Sequence, residues 1–285
     1  MTIKSIAGID HAVVVVKDLD AAAENWKGLG FTISPRGTHS AHMGTGNTTI
    51  MLRDDYIELL GVLNATKHNE PSRAYLEQTG GGIERIAFTT PDAAAGASEI
   101  RGMGYAAVGP TDFERPVTMP DGRKSAAKFA TFQWPVDEAP GGVRLFACQH
   151  KTRETVWIPE LQTHANTARR IAEVMIVSPE PESDAKHLAR MIDGEIRKAA
   201  DGTVMVPTRA GRADFVFLTR EAMVRRHPGV AMTGLPERAG AGLRLVVDDL
   251  AAAQRAAGAN AVSSNNAVVV PPANANGVLL AFVQG

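Results

Sequence analysis

A strand-and-helix pattern recurs four times along the 285 residues of this chain, and it constrains the fold more than any other feature. The first copy reads GIDHAVVVVKDLDA, and the second, GIERIAFTTPDAAA, aligns with it so that Gly82 matches Gly8 and Asp92 matches Asp18. Two further copies begin with RIAEVMIV and GLRLVVDDL. The equivalent positions in the four first strands are His11, Arg85, Glu173 and Gly242. Their spacing, roughly 70 to 90 residues, is longer than that of solenoid repeats and fits whole supersecondary modules.

Each copy predicts a strand, a helix and three further strands. In the first copy the β-branched content of IDHAVVVV favours a strand. Helical spacing then places five apolar side chains on one face, namely Leu19, Ala22, Ala23, Trp26 and Leu29. Asp18 is the expected N-cap of this helix and Gly30 its expected stop. Three strand-like runs follow, FTISP, NTTIMLR and DYIELLGV, separated by turn residues.

A module of this kind exposes one face of a small sheet, so two modules must pair to bury it. Four modules therefore predict an α+β fold in which four βαβββ modules pair into two cupped, mixed-sheet domains. The polar stretch around Pro159 lies between the second and third modules and is expected to be an ordered connector. The expected first domain is 1–157, with modules at 6–62 and 82–150, and the second is 168–285, with modules at 170–220 and 240–284.

Composition excludes several classes of function. The formal net charge is −1, so nothing favours nucleic acid or an anionic membrane surface as a partner. The first residues lack the apolar block of a signal peptide, and no apolar run approaches the ~18 residues of a membrane span. The only cysteine, Cys148, cannot form an intrachain disulfide and is expected to be a buried, inert thiol. These features predict a cytoplasmic protein, monomer or homodimer, whose partner is a small molecule.

Tandem βαβββ modules with a histidine in the first strand and a glutamate in the last resemble the vicinal oxygen chelate superfamily. Its members include glyoxalase I, methylmalonyl-CoA epimerase, extradiol dioxygenases and drug-resistance binding proteins. The segments GIDHAVVVVKDLDAAAENWKGLGF, GTGN and DYIELLG are most similar to its glyoxalase-like branch. The resemblance is strongest over 6–62, fair over 82–157, and rests mainly on module order thereafter. It implies a cup in which residues from the first and last strands hold a divalent metal that stabilises an enolate or a bound dioxygen adduct.

His11 and Glu58 fall on the ligand positions that this resemblance implies for the first module. The metal would be zinc, nickel, manganese, iron or cobalt, and the site without a metal remains an alternative. The residues alone also fit a hydrogen-bonded His11–Glu58 pair or a satisfied core histidine. In the second module Gln149 matches the glutamate position and would add a neutral carbonyl oxygen. The neighbouring His150 would instead complete a set of two histidines and one carboxylate if its side chain turned inward.

The second module departs from the family pattern at Arg85, which replaces the histidine of the first strand. A guanidinium has no lone pair to offer a cation, so Arg85 is expected either to pair with Glu58 or to bind the carboxylate of an anionic substrate. His42 and Asn47, in or beside a glycine-rich loop, are further candidates for substrate binding, as is His150 at the mouth of the cup. Because the third and fourth modules carry Glu173 and Gly242 at the His11 position, the second domain is expected to be degenerate.

Two functions from different classes fit these residues. The first is a glyoxalase-like lyase or isomerase that moves a proton next to the carbonyl of an anionic substrate, with Glu58 as the base and a metal on His11, Glu58 and Gln149. The second is a metal-free protein of the same fold that binds and sequesters a small molecule. An extradiol-type dioxygenase is the least favoured function, because the second domain lacks a set of metal ligands.

Overall fold

The computed structural model describes residues 3–285 and contains four βαβββ modules in chain order. The strands of the first module are β1 (Ile9–Val16), β2 (Gly37–Thr38), β3 (Thr45–Met51) and β4 (Tyr56–Val62). Those of the second are β5 (Gly82–Thr89), β6 (Val108–Thr118), β7 (Lys124–Gln133) and β8 (Arg144–His150). The strands of the third module are β9 (Ala168–Val177), β10 (Arg197–Lys198), β11 (Val204–Val206) and β12 (Asp214–Leu218). Those of the fourth are β13 (Ala239–Val247), β14 (Val262–Ser264), β15 (Ala267–Val270) and β16 (Leu279–Gln284).

Four helices follow the first strands of the modules, and two connect modules. The first four are α1 (Leu19–Gly28), α3 (Ala93–Gly102), α4 (Pro181–Met191) and α6 (Leu250–Ala257). The connecting helices are α2 (Glu70–Thr79) and α5 (Arg220–Arg226), which precede the second and fourth modules. Within the described residues, no helix is both long and apolar enough to cross a membrane.

The modules pair two by two, as the repeat predicts. In the first pair β1 and β5 run antiparallel at the centre, and each is flanked by the parallel last strand of its own module, β4 or β8. In the second pair β9 and β13 take the central places, flanked by β12 and β16. A single bridge between Gly240 and Ile83 links the two halves into one sheet. The predicted α+β architecture of two cups is confirmed.

Local sequence signals explain the first module well, with one exception. The Asp18 carboxylate accepts hydrogen bonds from the backbone N–H groups of Asp20 and Ala21, so this residue caps α1 as predicted. The predicted strand at FTISP is wrong, because the residues before β2 form no strand. Pro35 has no N–H to donate to a sheet, and the pairing moves to β2, two residues further on.

The same irregularity occurs in the first strand of every module. Between paired positions of the central strands, one strand advances by two residues while its partner advances by one, which is the signature of a β-bulge. Each module has one such extra residue at the equivalent place, namely Asp10, Glu84, Ala172 and Ala241, and β9 has a second irregularity at Arg169. Each of the four equivalent residues directly precedes the position that the repeat aligns with His11. The bulge therefore supports the alignment of the four modules, and it carries an acid only in the first half.

Candidate active site in the first cup

The candidate site lies on the concave face of the first pair of modules. The bulge at Asp10 lets Ile9 and Ala12 both face the main hydrophobic core, although they are three residues apart. His11 and Val13 then face the cup. A bulge re-aims the side chains next to it. The sequence GIDH thus places an acid and a histidine at one corner of the cup.

His11 lies between two carboxylates. Its Nδ1 is 2.7 Å from Oδ1 of Asp10, and its Nε2 is 3.6 Å from Oε2 of Glu58. The imidazole stacks on the ring of Tyr56 with 4.2 Å between centroids. The other carboxylate oxygen of Glu58, Oε1, accepts a hydrogen bond of 2.7 Å from Nδ2 of Asn47. All five residues are buried. Because Nδ1 donates to Asp10, Nε2 is the nitrogen left to exchange a proton inside the cup.

Both carboxylates are ionised at neutral pH. Burial alone would raise the pKa of Asp10, but the charge of His150 and hydrogen bonds from the two histidines hold that pKa well below its ordinary value. Burial likewise raises the pKa of Glu58, and the electrostatic interactions with His11 and His39, with the hydrogen bond from Asn47, lower it overall. The buried acids are therefore paired with proton carriers rather than neutralised.

His150 turns inward and forms the far side of the same group. Its Nε2 is 2.9 Å from Oδ1 of Asp10, so that one carboxylate oxygen contacts both histidines. The ring lies against Trp157, 4.8 Å between centroids, and among the described residues its Nδ1 has no hydrogen-bond partner. Among the described residues, His11, Glu58 and His150 are not grouped so that they could hold a metal ion, and the Nε2 of His150 is bound by Asp10.

Gln149 lies elsewhere, which corrects its expected role as a metal ligand. Its Nε2 donates to the backbone oxygen of Pro91 at 2.8 Å, and its Oε1 accepts from the backbone N–H of Ala93 at 3.1 Å, at the start of α3. Strand pairing gives the physical reason. Glu58 pairs with the residue two after His11, and Phe146 pairs with the residue two after Arg85. Phe146 therefore occupies the position that the sequence alignment had assigned to Gln149.

Arg85 lies next to an acid, Glu84, at the end of the cup opposite to Asp10 and His150. Its Nε is 3.1 Å from Oε2 of Glu84, the acid at the second bulge, and this Nε is buried without a well-formed hydrogen bond. Glu84 also contacts the guanidinium of Arg144. Burial lowers the pKa of Arg85 and the charge of Glu58 opposes this, but a guanidinium stays protonated in either case. Arg85 thus forms its ion pair with Glu84. Glu58 affects Arg85 only through a longer-range electrostatic interaction.

His42 lies outside this buried group. It is exposed in the loop before β3, and its ring is 5.2 Å from the ring of His68. Burial of His68 together with the positive charges of His42, Arg85 and Arg144 lowers the pKa of His68. The two histidines therefore lie at the rim of the cup near the guanidinium groups of Arg85 and Arg144, and the lowered pKa favours the neutral form of His68.

Sequence reasoning missed Asp10 and His39. Asp10 was visible in the repeat, because Glu84 stands at the same place in the second module. His39 has its Nδ1 2.8 Å from Oγ1 of Thr45, and burial lowers its pKa. No spacing rule pointed to His39, because it belongs to a loop whose position depends on the strands around it.

The donors of the cup do not match the divalent metal that the family resemblance implies. His11 offers only Nε2, since Asp10 binds Nδ1, and Glu58 offers one carboxylate oxygen, since Asn47 binds the other. The two remaining family positions hold Arg85 and Phe146, neither of which ligates a cation. Over residues 3–285, no three or more His, Cys, Asp and Glu side chains are grouped so that they could hold a metal ion. Two donors remain where the expected site needed at least three.

Comparison with known proteins identifies the relatives of this chain. The model of the glyoxalase-like domain family matches residues 9–192. A hypothetical protein from Staphylococcus aureus has a similar structure, with a TM-score of 0.70 at 14% identity over 97% of this chain and 99% of its own. A mutant of 4-hydroxymandelate synthase from Streptomyces coelicolor gives a TM-score of 0.62 at 14% identity, over 98% and 93%. A xylose isomerase-like TIM barrel/4-hydroxyphenylpyruvate dioxygenase fusion protein gives 0.59 at 14% identity, over 100% of this chain and 50% of its own. At this identity the structures show a shared fold. A search of curated proteins gave no match.

Proposed function

The chain belongs to the glyoxalase-like domain family, and we propose that its first cup binds an anionic, carbonyl-bearing small molecule and moves a proton next to that carbonyl. The reaction class is that of a lyase or an isomerase. The observation that carries the proposal is the buried line of Asp10, His11 and Glu58, in which one imidazole lies between two ionised carboxylates. Such an arrangement holds and passes one proton, which is the work that an enolisation requires.

Glu58 is the base in this proposal. Asn47 holds Oε1, so Oε2 is the oxygen that takes the proton from the carbon beside the carbonyl. The proton then has a second acceptor 3.6 Å away, the Nε2 of His11. Asp10 stabilises the imidazolium that forms and fixes the tautomer of the ring. Asp10 and Asn47 are positioning residues, since each acts through a neighbour.

Arg85 supplies the positive charge that the substrate needs. A guanidinium binds a carboxylate through two parallel hydrogen bonds, and among the described residues Arg85 uses only Nε, in its ion pair with Glu84, so that both terminal nitrogens are left for a ligand. The same charge would lower the energy of a developing enolate among the buried side chains of the cup. His150 and the rim histidine His42 are proposed to contact the parts of the substrate that do not react.

The test is exchange of carbon-bound hydrogen with solvent. Full-length protein is incubated with 2-oxobutanoate in D₂O, and loss of the C3 proton signal is followed by NMR. Wild type is expected to accelerate exchange, and Glu58→Gln, which keeps size but removes the base, is expected to lower the rate at least ~100-fold. Glu77→Gln, at an exposed glutamate of α2, is the matched control and should exchange like wild type. Equal rates for wild type and Glu58→Gln would refute the role of Glu58.

The second candidate is a metal-free binding protein, and the packing of the cup favours it. Tyr75 and Leu76 of α2 pack on Val13 and Leu60, so part of the concave face is already covered. The exchange experiment separates the two functions, because a binding protein would hold 2-oxobutanoate through Arg85 without exchanging its C3 proton. We propose the cytoplasm as the place of action, in keeping with the single buried thiol of Cys148.

A further inference from the structure

The second cup contains a cavity of about 360 Å³, which we call the second-cup cavity. It lies between α5, the central strand β13, and the strands β15 and β16. Its polar lining includes Arg226, His227, Arg244 and Asn265, and its apolar lining is Ala222, Ala267, Ala281 and Val283. A volume of this size accommodates a small organic molecule.

The charges around the second-cup cavity leave an excess of positive charge. Glu173, at the position equivalent to His11, accepts hydrogen bonds from Arg226 at 2.5 Å and from Arg244 at 2.9 Å. Each arginine uses one terminal nitrogen for this contact. The remaining charged residues of the lining, Arg225 and Asp201, offset one another. Two guanidinium groups thus share one carboxylate, and a second carboxylate would balance them.

His227 is a buried polar group without a partner. It is 5% exposed, it lines the cavity, and neither of its ring nitrogens has a hydrogen-bond partner among the described residues. Burial and the charges of Arg226 and Arg244 lower its pKa to about 4, so the ring is neutral at physiological pH and offers one donor and one acceptor. Buried polar atoms are nearly always paired in folded proteins, which indicates that something in the cavity completes these bonds.

We propose that the second-cup cavity is a binding site for a small monocarboxylate with an apolar body. Its carboxylate would lie on the free nitrogens of Arg226 and Arg244, and its body on the alanine side chains of the lining. His227 would bond a polar atom of the same ligand. The site is separate from the first cup and does not depend on the function proposed for it. The second half of the chain has alanine where the first half has acids at these bulges, and Glu173, bound by two arginines, stands at the position equivalent to His11.

Benzoate is the probe, because it joins a carboxylate to an apolar ring. Titration calorimetry on full-length wild type is expected to give a Kd below ~1 mM. Arg244→Gln is expected to weaken binding at least tenfold, and Arg255→Gln, at an exposed arginine of α6, is the control that should not. Absence of binding at ~10 mM, or equal affinity in Arg244→Gln and wild type, overturns the proposal. Binding that Arg85→Gln abolishes and Arg244→Gln preserves places benzoate in the first cup and also overturns it.

Arg244→Gln removes one hydrogen-bond partner of Glu173 and could therefore affect folding. A second measurement uses wild type and does not depend on that variant. The ring nitrogens of His227 are observed in wild type by long-range ¹H–¹⁵N NMR, with His227→Gln used to assign them. Benzoate is expected to shift both nitrogens, and unchanged signals overturn the proposal. Inorganic phosphate at the same concentration is expected to leave them in place. Tighter binding of phosphate than of benzoate would show a different ligand class and overturn the assignment to a monocarboxylate.

Discussion

The chemistry of His11 depends on the residue directly before it. Asp10 fixes Nδ1 of His11, contacts His150 through the same oxygen, and takes a 2.8 Å hydrogen bond from Oγ1 of Thr89 on its other oxygen. A histidine in a strand is ambiguous from sequence, since a core residue and a proton carrier look alike. The bulge removes that ambiguity, because it brings the acid and the imidazole onto the same side of the strand.

Replacing Asp10 by asparagine tests this network through its pH dependence. The folded state holds the pKa of Asp10 below its ordinary value of 3.8, so the carboxylate stabilises the fold at higher pH, and this contribution is lost as pH falls below that value. We expect Asp10→Asn to lower the free energy of unfolding by about 2 kcal/mol at pH 7, as for hydrogen bonds to charged groups. Urea unfolding at pH 7, 5 and 3 should show the difference from wild type narrowing at pH 3.

Asp20→Asn is the control for that series, because Asp20 is an exposed acid on α1 whose side chain pairs with Arg36 at the surface. It should leave stability nearly unchanged at each pH, as surface ion pairs contribute little. A difference between Asp10→Asn and wild type that stays constant from pH 7 to pH 3 would contradict the assignment of an ionised Asp10.

At the level of elements, the order of strands and helices follows from the sequence, while the register of the last strands does not. The β-branched first strand, the cap at Asp18 and the apolar face of α1 were all predicted and are present in the structure. The assignment of Gln149 to the glutamate position was wrong because the sequence alone does not fix the register of the last strand. Pairing with the first strand decides the register, and that contact is non-local. The inward orientation of the His150 side chain also depends on this non-local strand pairing.

The register makes a strong prediction about metal binding. If Phe146 is the true equivalent of Glu58, then replacing Arg85 by histidine and Phe146 by glutamate supplies the two donors that the cup lacks. We expect the double variant Arg85→His/Phe146→Glu to bind Zn²⁺ with a Kd of ~10 μM or tighter, while wild type binds it no more tightly than ~1 mM. Titration with a competing metal indicator measures both affinities.

The matched control is Arg85→His/Gln149→Glu, which places the new acid where the sequence alignment had put it. Because the side chain of residue 149 faces the start of α3, this variant should remain a weak zinc binder. Equal affinity of the two double variants would show that the assigned register is wrong. Tight zinc binding by wild type itself would show that the two natural donors are sufficient.

At the scale of the whole molecule, the two halves share one core. The largest hydrophobic cluster joins Ile9 and Val14 of the first half with Ile171, Leu243 and Val247 of the second. The two cups therefore lie on the outside of a common hydrophobic interior. The residues of one cup can differ from those of the other without changing this shared core. The first cup has acids at the bulges next to the His11 and Arg85 positions, and the second has alanine at the equivalent places. The sequence predicted two paired units, and their independence as domains stays a prediction. The shared core could not be predicted from the repeat, because it depends on contacts between the two halves.

Asp55 connects the halves by a buried, charged hydrogen bond. It is 2% exposed and lies directly before β4, and its carboxylate accepts a hydrogen bond from the backbone N–H of Ile171 at 3.0 Å. Burial raises the pKa of Asp55 to about 7, against the opposing effects of Ile171 and Arg212. The folded state therefore binds this proton more tightly than the unfolded chain, whose ordinary pKa is 3.8. The free energy of unfolding must then fall as pH rises from about 4 to about 7.

Asp55→Asn removes this loss of stability at higher pH, because the amide oxygen still accepts the hydrogen bond from Ile171 and no charge is buried. At pH 8 we expect the variant to exceed wild type in free energy of unfolding by ~1 kcal/mol or more, since one pKa unit corresponds to about 1.4 kcal/mol. Near pH 4 the two proteins should have nearly equal stability, because the carboxyl is then protonated in the folded state. Thermal and urea unfolding at both pH values measure the difference, with Asp20→Asn, at an exposed acid far from Asp55 in the sequence and absent from the charges that shift its pKa, as the control that should not respond. A variant less stable than wild type at pH 8 would show that the contact between the halves needs the charge on Asp55.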